Sequence, residues 1–365
     1  MNVHVKTEQA PKAQQKLGII DCDMHPRTTP ADLRPFMSNH WWNVMQTYGV
    51  RPRHGFAKAT MYPKSQPQAA RLDAWPPSGG PPCSDLDFVR QQHLDAYGID
   101  YGIMLPLGNS GQGARDPELS AAITFACNEA LIQNWTSRDK RLKGSIVVPY
   151  EDGEASRVEI DRRAGNADFV QVQLLSRTSE PLGKKRYWPI YAAACEHNLP
   201  VAIHVFGASG WASTNGGWAS FYVEEMTEHA VSAQAIVMSL IMEGVFEQFP
   251  TLKIVLIESG FGWLPALGWR LDKIWKRLRD EVPHLKRAPS EYIREHIWVT
   301  TQPMEEPNNP RHVVDVMEWI GWDHVLFATD YPHWDFDNPQ VALAALDLTR
   351  RQQVLSENAR QLYRF

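Results

Sequence analysis

VLFATDYPHWD, residues 325–335, begins as an apolar run and ends in acids, aromatics and an imidazole. A strand that only packs against its neighbours ends in turn residues, whereas this one delivers Asp330 and His333 from its last positions, with Tyr331, Pro332 and Trp334 around them. The same design recurs upstream. Seven further short apolar runs precede it: LGIIDCDMHP from Leu17, IDYGIMLP from Ile99, LKGSIVVPY from Leu142, ADFVQVQLL from Ala167, LPVAIHVFG from Leu199, LKIVLIESG from Leu252 and IWVTTQP from Ile297. Most are continuous rather than alternating, as expected of parallel strands buried on both faces. Between them, segments such as ELSAAITFACNEALIQNWTSRDK and PIYAAACEHN repeat apolar residues at three- and four-residue intervals, the mark of amphipathic helices. Eight strand–helix alternations with right-handed crossovers predict an α/β fold, a (β/α)8 TIM barrel, ahead of a doubly wound open sheet.

Two segments break the repeat. Residues 26–90, with HWWNVMQTYG and the Pro/Gly-rich WPPSGGPPCSD, separate the first strand from the helix before the second; residues 207–235 form an aromatic-rich insertion after the fifth strand. Both leave C-terminal strand ends, so both are expected to overhang the same mouth as a cap or lid. A chain of 365 residues suits one barrel with insertions, and the expected organisation is a flexible lead over 1–16 followed by a single domain over 17–365.

Composition narrows the partners. Hydrophobic content of 43% with 22% charged residues is enough for a sizeable core and excludes disorder of the whole. A formal net charge of −5 without a long basic run argues against nucleic acid and leaves a small molecule as the expected partner. Cys22, Cys83, Cys127 and Cys195 are scattered without a C-x-x-C pair, which suggests neither a zinc ribbon nor a disulfide framework and fits a reducing cytoplasm. The opening MNVHVKTEQAPKAQQKLG lacks an apolar signal core, and no stretch reaches transmembrane length, so a soluble cytoplasmic protein with no membrane partner is expected.

In such a barrel the chemistry sits at the C-terminal strand ends. There the runs offer Asp23 and His25, His204, Glu258, Asp330 and, just beyond, His333. Asp23 and His25 are two apart, so both point to one face of a strand. Burying several carboxylates and imidazoles together without compensation is costly. A divalent cation compensates them, and two imidazoles with two carboxylates suit zinc, with manganese or iron(II) close behind. Asp330 is then a ligand, a proton acceptor, or both. Blander roles stand beside these: Glu258 pairing with Arg270, His333 capping a short helix, and Trp41, Trp42, Trp211 and Trp218 serving the core, although Trp42, Trp211, His333 and Tyr331 are also the candidates to line a substrate pocket. GNSGQG from Gly108, GASGW from Gly207 and ESGFGW from Glu258 match neither a dinucleotide fingerprint nor a nucleophile elbow, and no P-loop or H-E-x-x-H occurs.

With these residues in view, the chain resembles the amidohydrolase-related family of the amidohydrolase superfamily, the branch that includes aminocarboxymuconate semialdehyde decarboxylase and aromatic-acid decarboxylases. IIDCDMH resembles its first-strand metal motif, CNEALIQNWTSRDKRLKGSIVVPYED its helix before strand three, and LPVAIHVFG its fifth strand; FPTLKIVLIESGFGWLP and VLFATDYPHWD resemble its signatures at strands six and eight. The resemblance covers nearly the whole chain after Leu17 and implies one metal ion per chain held by Asp23, His25, His204 and Asp330. It also implies a homodimer, common in such families. Glu258 stands where many members place a histidine.

Three activities follow from this reading. Hydrolysis of a small amide, ester or lactone by metal-activated water is the leading expectation, with Asp330 as base and Glu258 assisting, because a carboxylate at position 258 repels an anionic acid. The alternatives are a metal-dependent decarboxylase of an aromatic or unsaturated carboxylic acid, and a hydratase. A non-enzymatic binding scaffold ranks last.

Overall fold

The computed structural model describes residues 18–52, 63–205, 212 and 217–365. The expected lead over 1–16, residues 53–62 of the first insertion, and residues 207–211 and 213–216 of the second, Trp211 among them, lie outside the described residues. Eight parallel strands pair in sequence order: β1 Ile20–Met24, β2 Tyr101–Met104, β3 Leu142–Val147, β4 Phe169–Leu175, β5 Val201–His204, β6 Ile254–Ile257, β7 Ile297–Thr300 and β8 Val325–Leu326. Closure excludes the open sheet. The Cys22 N–H donates to the Phe327 carbonyl at 3.0 Å and the His25 N–H to the Tyr331 carbonyl at 2.8 Å, so β1 seals against the segment that follows β8. The fold is a (β/α)8 barrel.

The sequence explains the layers. Within the barrel, Ile20, Cys22, Ile103, Leu105, Val170, Ala202, Val255, Ile257 and Leu326 form one buried apolar cluster. Each branched aliphatic side chain there contributes about 1.5–3 kcal/mol by leaving water. A larger cluster fills the space between strands and helices, and it contains Met24, Met104, Ile146, Leu174, Ile203 and Leu256 from the outward faces of the same strands. This double burial is why the runs read as continuous rather than alternating. The helices start where their caps lie: Asp116 accepts the N–H groups of Glu118 and Leu119 ahead of Pro117–Leu131, and Asp152 accepts that of Ala155 ahead of Gly153–Arg163.

One irregularity positions the chemistry. On β1, Asp21 pairs with Gly102 but Met24 pairs with Met104, three steps along one strand against two along the other. The extra residue is a β-bulge. Ile20 and Cys22 face the barrel interior, Met24 faces the helices, and the bulge turns Asp23 and His25 onto the inner rim above Cys22. A regular strand would have sent Asp23 outward with Asp21.

The first insertion reaches that rim. The Trp334 N–H donates to the Ala69 carbonyl at 2.7 Å and the Arg71 N–H to the Pro332 carbonyl at 3.0 Å, laying residues 69–71 along the chain that carries His333. From the start of the helix Tyr222–Met242, the Tyr222 hydroxyl accepts the Trp334 indole N–H at 3.2 Å. Among the described residues, no helix is long and apolar enough to cross a membrane.

Candidate metal centre

His204 is the last residue of β5, Glu258 follows β6 directly, and Asp330 lies four residues beyond β8. The eighth strand is shorter than its apolar run: it stops at Leu326, and Asp330 takes a left-handed backbone with φ +60°. Glu258 does the same at φ +55°. Left-handed backbone is uncommon outside glycine, and at both positions it swings a carboxylate over the barrel instead of along the sheet. Asp23, His204 and Asp330 are fully buried, and Glu258 and His25 nearly so.

One donor atom from each of Asp23, His25, His204 and Glu258 lies within 4.8 Å of every other. Their orientation is fixed from behind. His25 Nδ1 is 3.0 Å from the Leu105 carbonyl and His204 Nδ1 is 2.6 Å from the Val205 carbonyl. A carbonyl only accepts, so Nδ1 carries a proton in each ring, and in the neutral ring Nε2 presents a lone pair. For His25 that lone pair meets Asp23 Oδ1 at 3.1 Å and Asp330 Oδ1 at 2.9 Å. For His204 it meets Glu258 Oε2 at 3.1 Å and Asp23 Oδ2 at 3.7 Å. Acceptors facing acceptors repel. Both Asp23 oxygens, both Nε2 atoms, Glu258 Oε2 and Asp330 Oδ2 are buried without a hydrogen-bond partner. A cation among them converts that repulsion into attraction, and nitrogen with carboxylate oxygen is a suitable donor set for a divalent transition metal.

The electrostatics make the same demand. Burial works against charge on His204, yet Asp23 and Glu258 raise its proton affinity to a pKa of about 9. His25 is raised well above its ordinary value against the same burial by Asp23 and Asp330, while Asp23, though buried, is pulled below the usual carboxylate range by the two imidazoles. The cluster attracts positive charge to the very Nε2 positions that a metal uses. Asp330 differs: burial pushes it up to about 6, with His25 opposing. Burial and then His25 push His333 down to about 4.

The expected residues are only partly brought together. Glu258 sits within the ligand group rather than beside Arg270, which is exposed on the helix Leu264–Leu278. Asp330 groups instead with His25 and His333. His333 caps no helix; its Nδ1 donates to Asp330 Oδ1 at 2.7 Å and its ring stacks on His25 at 4.6 Å. Tyr331 turns away, stacking on His93 at 4.5 Å with its hydroxyl on Gln92 Oε1 at 2.8 Å. Trp42 packs into a satellite cluster containing Leu33, Leu119 and Ile123, with the Arg34 guanidinium 5.4 Å from its ring.

Sequence reading missed Asp335. It offers an oxygen within 4.8 Å of oxygens from both Glu258 and Asp330, and burial, followed by those two charges, pushes it up to about 8. The only signal was its place in the same acidic and aromatic stretch. Arg177, two residues past β4 and nearly buried, was missed too; its Nη2 lies 3.6 Å from Glu225.

Comparison with known proteins fits this geometry. The amidohydrolase family profile matches residues 20–365. The chain belongs to the amidohydrolase family. It is an enzyme of that superfamily. A gamma-resorcylate decarboxylase from Rhizobium sp. (strain MTP-10005) is 24% identical over 301 residues, covering 77% of this chain and 88% of the relative. Two solved structures share the fold. The dihydroxybenzoic acid decarboxylase of Polaromonas sp. JS666, with bound manganese and 2-nitroresorcinol, superposes with a TM-score of 0.66 at 19% identity over 95% of this chain and 97% of that one. The 5-carboxyvanillate decarboxylase of Novosphingobium aromaticivorans, with manganese and 4-hydroxy-3-methoxy-5-nitrobenzoic acid, gives 0.72 at 20% identity over 96% of each chain.

These relatives correct the expectation of hydrolysis, since four curated relatives that match 70–77% of this chain are gamma-resorcylate decarboxylases. Glu258 would repel an anionic substrate only if its charge faced the pocket. It lies instead 3.1 Å from His204 Nε2 inside the donor cluster, where a bound cation would neutralise it.

Proposed function

We propose that the protein is a metal-dependent decarboxylase of an aromatic carboxylic acid. Asp23, His25, His204 and Glu258 hold one divalent cation. The reading is carried by the convergence of buried, unpartnered donor atoms on one point, and the reaction class is supported by the decarboxylases among the relatives. Manganese suits this half-carboxylate donor set as well as zinc does, and manganese is the ion in the two relatives' structures. When bound, the cation supplies positive charge that neutralises the substrate carboxylate and an adjacent oxygen.

The residues around it do the rest. Asp330 in its acid form delivers its proton to the ring carbon that bears the carboxylate. The bond from that carbon to the carboxylate then breaks, its electron pair restores the aromatic ring, and carbon dioxide leaves. Proton uptake balances carbon dioxide loss, so Asp330 must be reprotonated each turnover. His333 is placed for this, since it contacts Asp330 Oδ1 and its side chain is 16% exposed. The left-handed backbone at Asp330 keeps the acid over the barrel mouth.

Carbon dioxide release from the manganese-loaded protein tests the reading. A panel of ortho-hydroxylated benzoates, including 2,6-dihydroxybenzoate and 5-carboxyvanillate, should contain at least one acid that is turned over, with proton incorporation at the vacated carbon. Absence of release across the panel, with the metal bound, overturns it.

A further inference from the structure

We propose that Arg177 is a substrate-binding residue and that the acid decarboxylated carries a second carboxylate, which its guanidinium receives. This rests on the decarboxylase reading above and names its substrate class.

Position comes first. Arg177 follows β4 by two residues, on the rim of strand ends that carries the metal donors, and its neighbour Ser176 donates its N–H to the His204 carbonyl at 2.8 Å. The helix Tyr222–Met242 covers this side of the mouth with a polar face. Tyr222, Glu225, His229 and Ser232 are spaced by three, four and three residues, so they share one side of that helix. Tyr222 accepts the Trp334 indole N–H at one end, and the Ser232 hydroxyl donates to that of Ser176 at 3.3 Å at the other. Glu225 lies between, 3.6 Å from Arg177 Nη2. Burial holds the His229 pKa down to about 4 against Glu258, with Arg177 and His204 adding to it, so guanidinium and donor cluster both stand close to one imidazole.

Its pairing sets Arg177 apart from an arginine that serves the fold. Arg163 is the comparison: its side chain is 6% exposed, and it has Glu129 at 2.6 Å and Glu159 at 2.7 Å. Arg177 is placed as deeply, at 7%, yet Glu225 stands off at 3.6 Å and is itself 16% exposed. Burial outweighs what Glu225 and Glu228 return, so the guanidinium holds its proton less tightly than usual. Sinking a cation beside a carboxylate that stands off is costly for stability alone. A guanidinium is a planar fork of donors that matches a carboxylate through two parallel bonds, and an arriving substrate carboxylate completes that pair.

The two poles define the substrate. The carboxylate that is lost lies at the cation site of Asp23, His25, His204 and Glu258, whereas Arg177, on a different strand, receives another group. An aromatic dicarboxylate spans both. One carboxylate leaves as carbon dioxide in exchange for the Asp330 proton, and the other stays on the product. Glu225 competes with the substrate for the guanidinium.

Calorimetric titration of the manganese-loaded full-length protein with benzoate, isophthalate and terephthalate, at one ionic strength, tests this. At least one of the two diacids should bind about 10–100-fold more tightly than benzoate, the margin expected of a buried charge-assisted pair. Arg177→Met should lose that margin. Glu225→Gln removes the competing carboxylate and should widen it severalfold, a gain that a merely structural ion pair does not predict. Should Arg177→Met fail to fold, the wild type and Glu225→Gln decide between them. Equal binding of benzoate and the diacids, absence of diacid binding, a margin that survives in Arg177→Met or one that narrows in Glu225→Gln each overturns the assignment of Arg177, while carbon dioxide release from the benzoate panel keeps the decarboxylase reading. Absence of that release as well overturns both.

Discussion

Asp21 accepts two hydrogen bonds from Thr329, one from its N–H at 2.9 Å and one from its hydroxyl at 2.5 Å, and so ties β1 to the segment beyond β8 one residue before Asp330. His93 Nε2 adds a third bond to the same carboxylate at 2.8 Å, and all three residues are fully buried. The clamp fixes the chain that presents the proposed acid. His93→Ala leaves an acceptor short of a donor in the core and opens a cavity beside Tyr331. Loss of a buried partner and loss of packing together should cost about 3 kcal/mol. Urea unfolding reads this as a lower midpoint with an unchanged slope. A midpoint equal to the wild type would mean that the clamp carries no stability.

His204→Ala removes an Nε2 donor that meets both Glu258 and Asp23. The residue ends β5 above the packed layers, so the fold should persist while the metal is lost. Elemental analysis after dialysis against low manganese should fall from one equivalent to well under half of one. Full occupancy in the variant would remove His204 from the ligand set.

The barrel was legible because burial on both faces writes each strand as an unbroken apolar run, and each inner-rim residue stands at the end of such a run. Asp23, His25, His204, Glu258 and Asp330 were found by that rule. Their grouping was not. Which carboxylate joins the two imidazoles depends on the left-handed backbones at Glu258 and Asp330 and on the bulge in β1, and none of these has a signature in residue type. Asp335 was hidden for a related reason: it lies on an irregular turn, where neither the period of a strand nor that of a helix says which way a side chain faces. Trp42 and Tyr331 show the opposite error. Aromatic residues near a mouth were expected to face it, but large apolar surfaces find equally good burial against Leu119 or His93.

A pH effect on stability is expected away from the metal cluster. His296 is buried, stacks on Phe246 at 4.4 Å and donates from Nδ1 to the Leu252 carbonyl at 2.9 Å. Burial lowers its pKa below the ordinary value. The unfolded chain therefore takes up a proton, near pH 6.5, that the folded chain refuses. This contribution is fully present above pH 6.5 and is lost as pH falls toward the folded value. Unfolding free energy measured at intervals from pH 7.5 to 5 should decline on the acid side, and His296→Gln, although less stable at pH 7.5, should show a shallower decline. Parallel profiles would mean that His296 does not titrate differently in the two states.

Asp330→Asn and Glu258→Gln separate the two carboxylates whose roles are most easily confused. Asparagine at 330 keeps the shape of the side chain and an oxygen facing His25 and His333, but it has no transferable proton at neutral pH. Turnover of the acid found in the benzoate panel should fall about 10²–10⁴-fold, the usual contribution of a positioned acid. The metal should remain, because Asp330 lies outside the group formed by Asp23, His25, His204 and Glu258. Glutamine at 258 removes a charged donor from within that group, so metal affinity and turnover should fall together, and raising manganese should recover part of the rate. The comparison is read as rate against metal concentration. A Glu258→Gln variant that keeps its metal tightly but loses turnover, beside an Asp330→Asn variant that loses its metal, would exchange the two assignments and make Asp330 the ligand.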